Sequence, residues 1–271
     1  MTKKADARKA LDSAELRSVA ADTACDRFSR DGWTATSVYV PNEMKLTIYV
    51  NGRELVTISC TPIKLPYLVF GFLYSEGIIS GAADVTTIRL CEDESLADVR
   101  LADSDYEPPT QRTITSGCGG GASFESRARK IESDLTAAPT QILSLMKRLR
   151  KRMVLYRISG GVHTSALADT EKLIVVAEDI GRHNTLDKIQ GECLLREIPT
   201  RDRLLLSTGR VSSEMLLKAA RMEVPIVVSR HSLTESAVSL ARDLGITLVG
   251  YARGGRLSAY SHSERLGCPV S

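Results

Sequence analysis

The spacing of apolar residues divides the chain into three stretches. Residues 1–30 are polar with scattered alanines and are expected to form a helix-prone lead-in. From 36 to 60, apolar and polar positions alternate in TSVYV, KLTIYV and ELVTISC, the two-residue period of half-buried strands. Asn51-Gly52 separates the second and third runs and predicts a tight hairpin, because both residues tolerate the positive φ of such a turn. The period then lengthens. In TPIKLPYLVFGFLYSEG, Leu65, Leu68, Val69, Phe72 and Leu73 fall on one helical stripe, with Thr61 as cap, Pro62 in the first turn and Gly77 as the stop. Two strand-like runs follow, near 85–91 and 97–102, before the acidic, proline-bearing DSDYEPPTQ. Residues 31–110 therefore read as a small α+β domain.

The remainder, 111–271, has a different rhythm. PTQILSLMKRLRKRMVLY predicts one helix with a basic face. Four β-branched runs, LIVVA, RLLLS, PIVVS and ITLVG, then alternate with helical stretches at about 182–196, 211–222 and 232–244. In the last of these Ser232 and Glu235 form a capping box, Leu233, Ala237, Leu240, Ala241 and Leu244 the stripe, and Gly245 the end. Strand–helix alternation predicts an α/β fold with a largely parallel sheet covered by helices.

Composition narrows the function classes. With 271 residues, 43% of them hydrophobic and 25% charged, the chain can bury a sizeable core. A net charge of +3 is too small for a dedicated nucleic-acid binder, yet suits a phosphorylated ligand. No run of about 18 apolar residues predicts a membrane span. The N-terminus lacks the apolar core of a secretory signal, and the six cysteines are scattered without close pairs, so reduced thiols and a cytoplasmic location are expected.

In open α/β sheets, ligands bind beyond the carboxyl ends of the strands. The loops expected there are EDIGRHN (178–184), STGR (207–210), SRHS (229–232) and YARGGR (251–256). All four contain arginine, and three lead into helices whose amino termini favour anions. Arg182, Arg210, Arg230, Arg253 and Arg256 would converge on one edge, and arginine forks match phosphate geometry. Agreement of four loops favours a multi-phosphate site over solvated arginines. The cluster Lys147, Arg148, Arg150, Lys151 and Arg152 reads instead as a solvated helix face, with docking of an acidic partner the lesser reading. There is no P-loop and no GxGxxG. His163 and His183 read as hydrogen-bonded or ligand-orienting residues, since no CxxC joins them into a zinc site and no metal is expected.

Cys118 stands apart from the other thiols, in SGCGGG. Two readings stand: a nucleophilic or group-carrying thiolate on a glycine loop, or a small residue filling a gap beside a turn.

The ordered set SGCGGG, SGGVHTSAL, EDIGRHNTLDKIQG, STGRVSSEMLLKAA, PIVVSRHSLTESAVSLA and LVGYARGGRLSAY, with PYLVFGFLYSEGII before it, resembles the formate dehydrogenase accessory protein family (FdhD) over about residues 36–262. The resemblance implies a sulfurtransferase. It would accept sulfur from a cysteine desulfurase as a persulfide on Cys118. It would pass that sulfur to the molybdenum cofactor, as Mo-bis(molybdopterin guanine dinucleotide), for formate dehydrogenase. It further implies cofactor binding by Tyr251, Ala252, Arg253, Gly254, Gly255 and Arg256, with Arg182, His183, Arg210 and Ser229 as additional candidates. The implied fold of 111–271 is a cytidine-deaminase-like three-layer sandwich without zinc, and the implied assembly is a homodimer. One departure is Gly121, where many members carry the second cysteine of a CxxC. It removes a local dithiol relay, and leaves a cofactor-binding chaperone without sulfur chemistry as the alternative.

Overall fold

The computed structural model describes residues 12–91, 95–106, 113–114, 122–123 and 129–269. Its first elements are α1 (Ser13–Val19), capped by the Asp12 side chain, and a long antiparallel hairpin of β1 (Ala20–Ser29) and β2 (Gly32–Pro41). Residues 20–29 are thus strand rather than helix. The hairpin is mostly solvent-exposed, and Phe28 and Trp33 pair at its tip with ring centroids 5.2 Å apart. Its base is held by a small cluster of Val19, Ala20, Leu155 and Val162.

Next come β3 (Met44–Val50), β4 (Arg53–Cys60), α2 (Leu65–Ser75), β5 (Val85–Cys91) and β6 (Leu96–Leu101). Asn51 and Gly52 have φ of 50° and 81°, as the hairpin signal requires. The four strands form one sheet in the order β4-β3-β6-β5, its core built from alternating Leu46, Ile48 and Val50 against Leu68, Val69 and Phe72 of α2. The helix starts later than predicted, after Lys64, with Pro66 in its first turn. Thr61 is used elsewhere: its N–H donates to Asp179, and its hydroxyl accepts from the Ile180 amide.

Two short paired strands, β7 (Thr113–Ile114) and β8 (Ala122–Ser123), follow. Cys118 and Gly121, which fall between them in sequence, lie outside the described residues. The larger sheet is assembled from the rest: α3 (Pro139–Arg152), α4 (Val154–Ser159), β9 (His163–Ala168), β10 (Leu173–Asp179), α5 (Arg182–Leu195), β11 (Leu204–Ser207), α6 (Ser213–Arg221), β12 (Ile226–Ser229), α7 (Glu235–Asp243), β13 (Thr247–Arg253) and β14 (Arg256–Ser261). Among the described residues no helix is long and apolar enough to cross a membrane.

The larger sheet corrects the expectation of a largely parallel one. Its order is β10-β9-β11-β12-β13-β14, and only the β11–β12 and β12–β13 pairings are parallel. β9 pairs antiparallel with both β10 and β11, and β14 antiparallel with β13. Two hairpins cause this. Asp169 turns β9 into β10 by accepting from the amides of Glu171 and Lys172, and Gly254-Gly255 turns β13 into β14. The single helix predicted over 139–156 is also broken at Met153. There the buried Glu178 carboxylate accepts from the N–H groups of Val154, Leu155 and Tyr156, starting α4 afresh. The last helix is capped by Thr234, not Ser232, because Leu233 bridges in extended conformation to Val211.

α5 joins the two sheets. Twelve of its residues are buried, Arg182 through Cys193, although six of them are ionisable. One face packs on the larger sheet and the other on α2, so closely that a side chain on Gly191 would sit 1.8 Å from the Tyr67 carbonyl oxygen. Its buried charges at Asp187 and Lys188 are paired. Lys188 pairs with Asp179 and donates to the Thr61 carbonyl, and Lys218 pairs with Asp187, which also accepts from Ser75.

Candidate functional site

The strand directions settle where the loops go. β11, β12 and β13 are parallel, β9 is antiparallel to β11, and β10 is antiparallel to β9. The carboxyl ends of β10, β11, β12 and β13 therefore meet at one edge, where His163 opens β9. Three short bonds lock that edge. The Thr208 amide donates to the Thr164 carbonyl, the Arg230 amide to the Ser207 carbonyl, and the Tyr251 amide to the His231 carbonyl. The four arginine-bearing loops are thus brought side by side, as their positions in the sequence predict.

Beyond this edge lies a groove made of three adjoining cavities that share Arg230. The outer cavity, about 790 Å³, has Arg253, Gly254, Gly255 and Arg256 on one wall, and Lys147 and Arg150 of α3 on the other. The inner one, about 380 Å³, is lined by His163, Gly209, Arg210 and His231. The third, about 610 Å³, runs along Arg150, Lys151, Tyr156 and Arg157. A groove so lined is a strong local field for a polyanion.

The candidates named from the sequence separate into three groups. Arg253, Gly254, Gly255 and Arg256 line the outer cavity with the buried Ala252, while Tyr251 is 41% exposed and lines none of the three cavities. Arg210 lines the inner cavity. Arg182, His183 and Ser229 are buried behind the edge. Ser229 is fully used within the protein: its hydroxyl donates to the Gly209 carbonyl and accepts from the His231 amide, fixing two loops. The basic face of α3 is the larger revision. Lys147, Arg150 and Lys151 are not simply solvated but form the wall facing Arg230 and Arg253. Their helical spacing is legible in sequence, and their opposing partner is not.

The imidazoles do not supply the groove's charge. Burial and the neighbouring Arg182 push the His163 pKa down, against the opposing pull of Asp179. Burial with Arg253 and Arg230 does the same at His231. His183 is the extreme case. Burial, together with Lys218, Arg182 and His163, pushes it down to about 3, although the Glu214 carboxylate lies 3.2 Å away. The folded protein keeps this ring neutral, whereas the unfolded chain takes up a proton near the ordinary value of 6.5. Stability contributed by the neutral ring is therefore complete above pH 6.5 and is lost as pH falls toward 3. Between pH 7 and 5 the loss is about 2 kcal/mol. Urea unfolding at both pH values is expected to show His183→Gln losing about that much less than the parent protein.

Comparison with known proteins identifies the family. The FdhD/NarQ family model matches residues 41–267. The "Sulfur carrier protein FdhD" of Bacillus pumilus is 42% identical over 246 residues, covering 88% of this chain and 94% of that protein. The protein of the same name from Bacillus subtilis is 42% identical over 237 residues, covering 83% and 88%. Among solved structures, a candidate formate dehydrogenase accessory protein from Desulfotalea psychrophila superposes with a TM-score of 0.76 at 25% identity, over 92% of this chain and 99% of that one.

Proposed function

This chain belongs to the FdhD/NarQ family, and on that premise we propose that it is a sulfur carrier acting in formate dehydrogenase maturation. Cys118 is the carrier. Its thiolate attacks the sulfane sulfur of a cysteine desulfurase persulfide, the donor's S–S bond breaks, and the donor leaves as a thiolate. The sulfur then resides on Cys118 as a persulfide until it is delivered to the molybdenum cofactor, the substrate held in the groove.

The observation that carries this reading is the polycationic groove centred on Arg230. Mo-bis(molybdopterin guanine dinucleotide) carries two pyrophosphates. The outer cavity offers Arg253 and Arg256 with the bare backbone of Gly254 and Gly255, opposite Lys147 and Arg150. Bidentate guanidinium contacts and open amides are what a pyrophosphate needs. The proposal includes a cytoplasmic homodimer, and a cytidine-deaminase-like ancestry for the larger sheet and its helices.

Peptide mass spectrometry of the 113–126 segment, after incubation with a cysteine desulfurase and free cysteine, is the test. Sulfur added to Cys118 and to no other cysteine is expected. An unmodified segment beside a competent desulfurase would overturn the carrier role. Gly121 then favours the second reading, a chaperone that binds and delivers the cofactor without sulfur chemistry.

A further inference from the structure

We propose that the amino terminus of α5 is a separate anion site behind the inner wall of the groove, built for one phosphate group and read by Arg182. α5 is a 14-residue helix whose cap, Gly181, has no side chain to offer. The nearby Asp179 carboxylate accepts from the Gly181 amide and the Asn184 side chain, leaving the first-turn amides untouched. Among the described residues no acceptor serves the N–H groups of Arg182, His183 and Asn184, all within the buried part of the helix. Three open amides at the positive end of a long helix dipole form a ready anion cradle.

Arg182 supplies the independent observation. It is only 8% exposed, its Nε has no hydrogen-bond partner, and no carboxylate of the described residues forms an ion pair with it. Asp179, three residues before it in the chain, is engaged by Lys188. A buried, unpaired guanidinium is costly, and a structural arginine would have been given a partner. The side chain lies beside His163, which senses its charge. Its Cβ is 3.2 Å from where a side chain on Gly209 would begin, and His163 Nδ1 is 3.4 Å from the same point. Gly209 and His163 line the inner cavity with Arg210 and Arg230, so Arg182 stands directly behind its wall. Guanidinium plus open amides match a tetrahedral oxyanion. That the phosphate belongs to a guanine nucleotide rests on the proposed function; the anion site itself does not.

The experiment compares the full chain with Arg182→Met and Arg182→Lys by thermal unfolding and calorimetric titration. The probes are inorganic phosphate and guanosine diphosphate at fixed ionic strength, with chloride as the control. Without phosphate, Arg182→Met is expected to be at least as stable as the parent, because it removes an unpaired buried charge. Phosphate affinity should fall about 10- to 100-fold in Arg182→Met and partly recover in Arg182→Lys. A destabilised Arg182→Met that still binds phosphate as the parent does would make Arg182 structural and overturn the proposal. So would a parent protein that shows no phosphate response. Arg182-dependent phosphate binding without guanosine diphosphate binding would uphold the anion site and instead count against the nucleotide-cofactor reading.

Discussion

Formate dehydrogenase produced alongside the Cys118→Ala variant is expected to be inactive, at the level found when this protein is absent. The loss should exceed about 100-fold, because the chain holds no thiol fit to substitute. Cys60 and Cys193 are buried, and desolvation leads the effects that push each thiol up to about 12. At neutral pH only about one in 10⁵ of such groups is a thiolate. Cys25 and Cys91 are half-buried on strands, in the β1–β2 hairpin and the smaller sheet, and Cys268 lies beyond the last strand. None of the five lines the groove. Formate oxidation in cell extracts measures the loss, with circular dichroism and guanosine diphosphate titration expected to be unchanged. Substantial maturation by the variant would remove the carrier role and leave cofactor delivery.

The largest stability effect is expected at Lys188, whose ammonium group and its Asp179 partner are both completely buried. Lys188→Met leaves the Asp179 carboxylate in the same place with the Thr61 and Gly181 amides and the Asn184 side chain, but without a counter-charge. It also removes one of the two donors to the Thr61 carbonyl, leaving the Ile63 amide. Removing one partner of a buried pair costs about 3–5 kcal/mol, whereas a neutral pair of similar volume costs much less. Urea unfolding should therefore show Lys188→Met far less stable than the parent, and the double variant Asp179→Asn, Lys188→Met more stable than the single by at least about 1 kcal/mol. Additive losses would mean that the two groups act independently. Because the pair ties β10 and α5 to the Thr61 turn of the smaller sheet, the same variants should loosen the junction between the sheets first.

Some of this architecture is written plainly in the chain. Asn51-Gly52, the apolar strand runs of the larger sheet and Gly77 act through local conformation, and local signals are what a single sequence carries. Local signals mislead where tertiary contacts decide. Thr61 reads as a helix cap, yet Asp179, over a hundred residues later, claims its backbone N–H. The predicted helix over 139–156 has unbroken periodicity, and only the distant Glu178 carboxylate explains the break at Met153. HTSALA is too small and polar to announce itself as strand β9, so its two antiparallel pairings are not legible and the sequence pattern suggests a more parallel sheet. α5 has a polar composition and no clear stripe, because both of its faces are covered.

The site was legible to the same extent. Topology alone placed the arginine loops at one sheet edge, since a strand's carboxyl end follows from its direction. The cations of α3 were visible, but not what they face. Arg182 was visible, but a missing partner can be seen only once every neighbour has been placed.

The single tryptophan of the chain is Trp33, 71% exposed at the tip of the β1–β2 hairpin and, among the described aromatic rings, in contact only with Phe28. Its indole already emits from water, far from both apolar cores. Intrinsic tryptophan fluorescence will then be nearly blind to the melting of either sheet, and filling the groove should leave its emission maximum where it is. A blue shift would report something else, a surface closing over the hairpin tip, so the chain carries a built-in optical label for that one place.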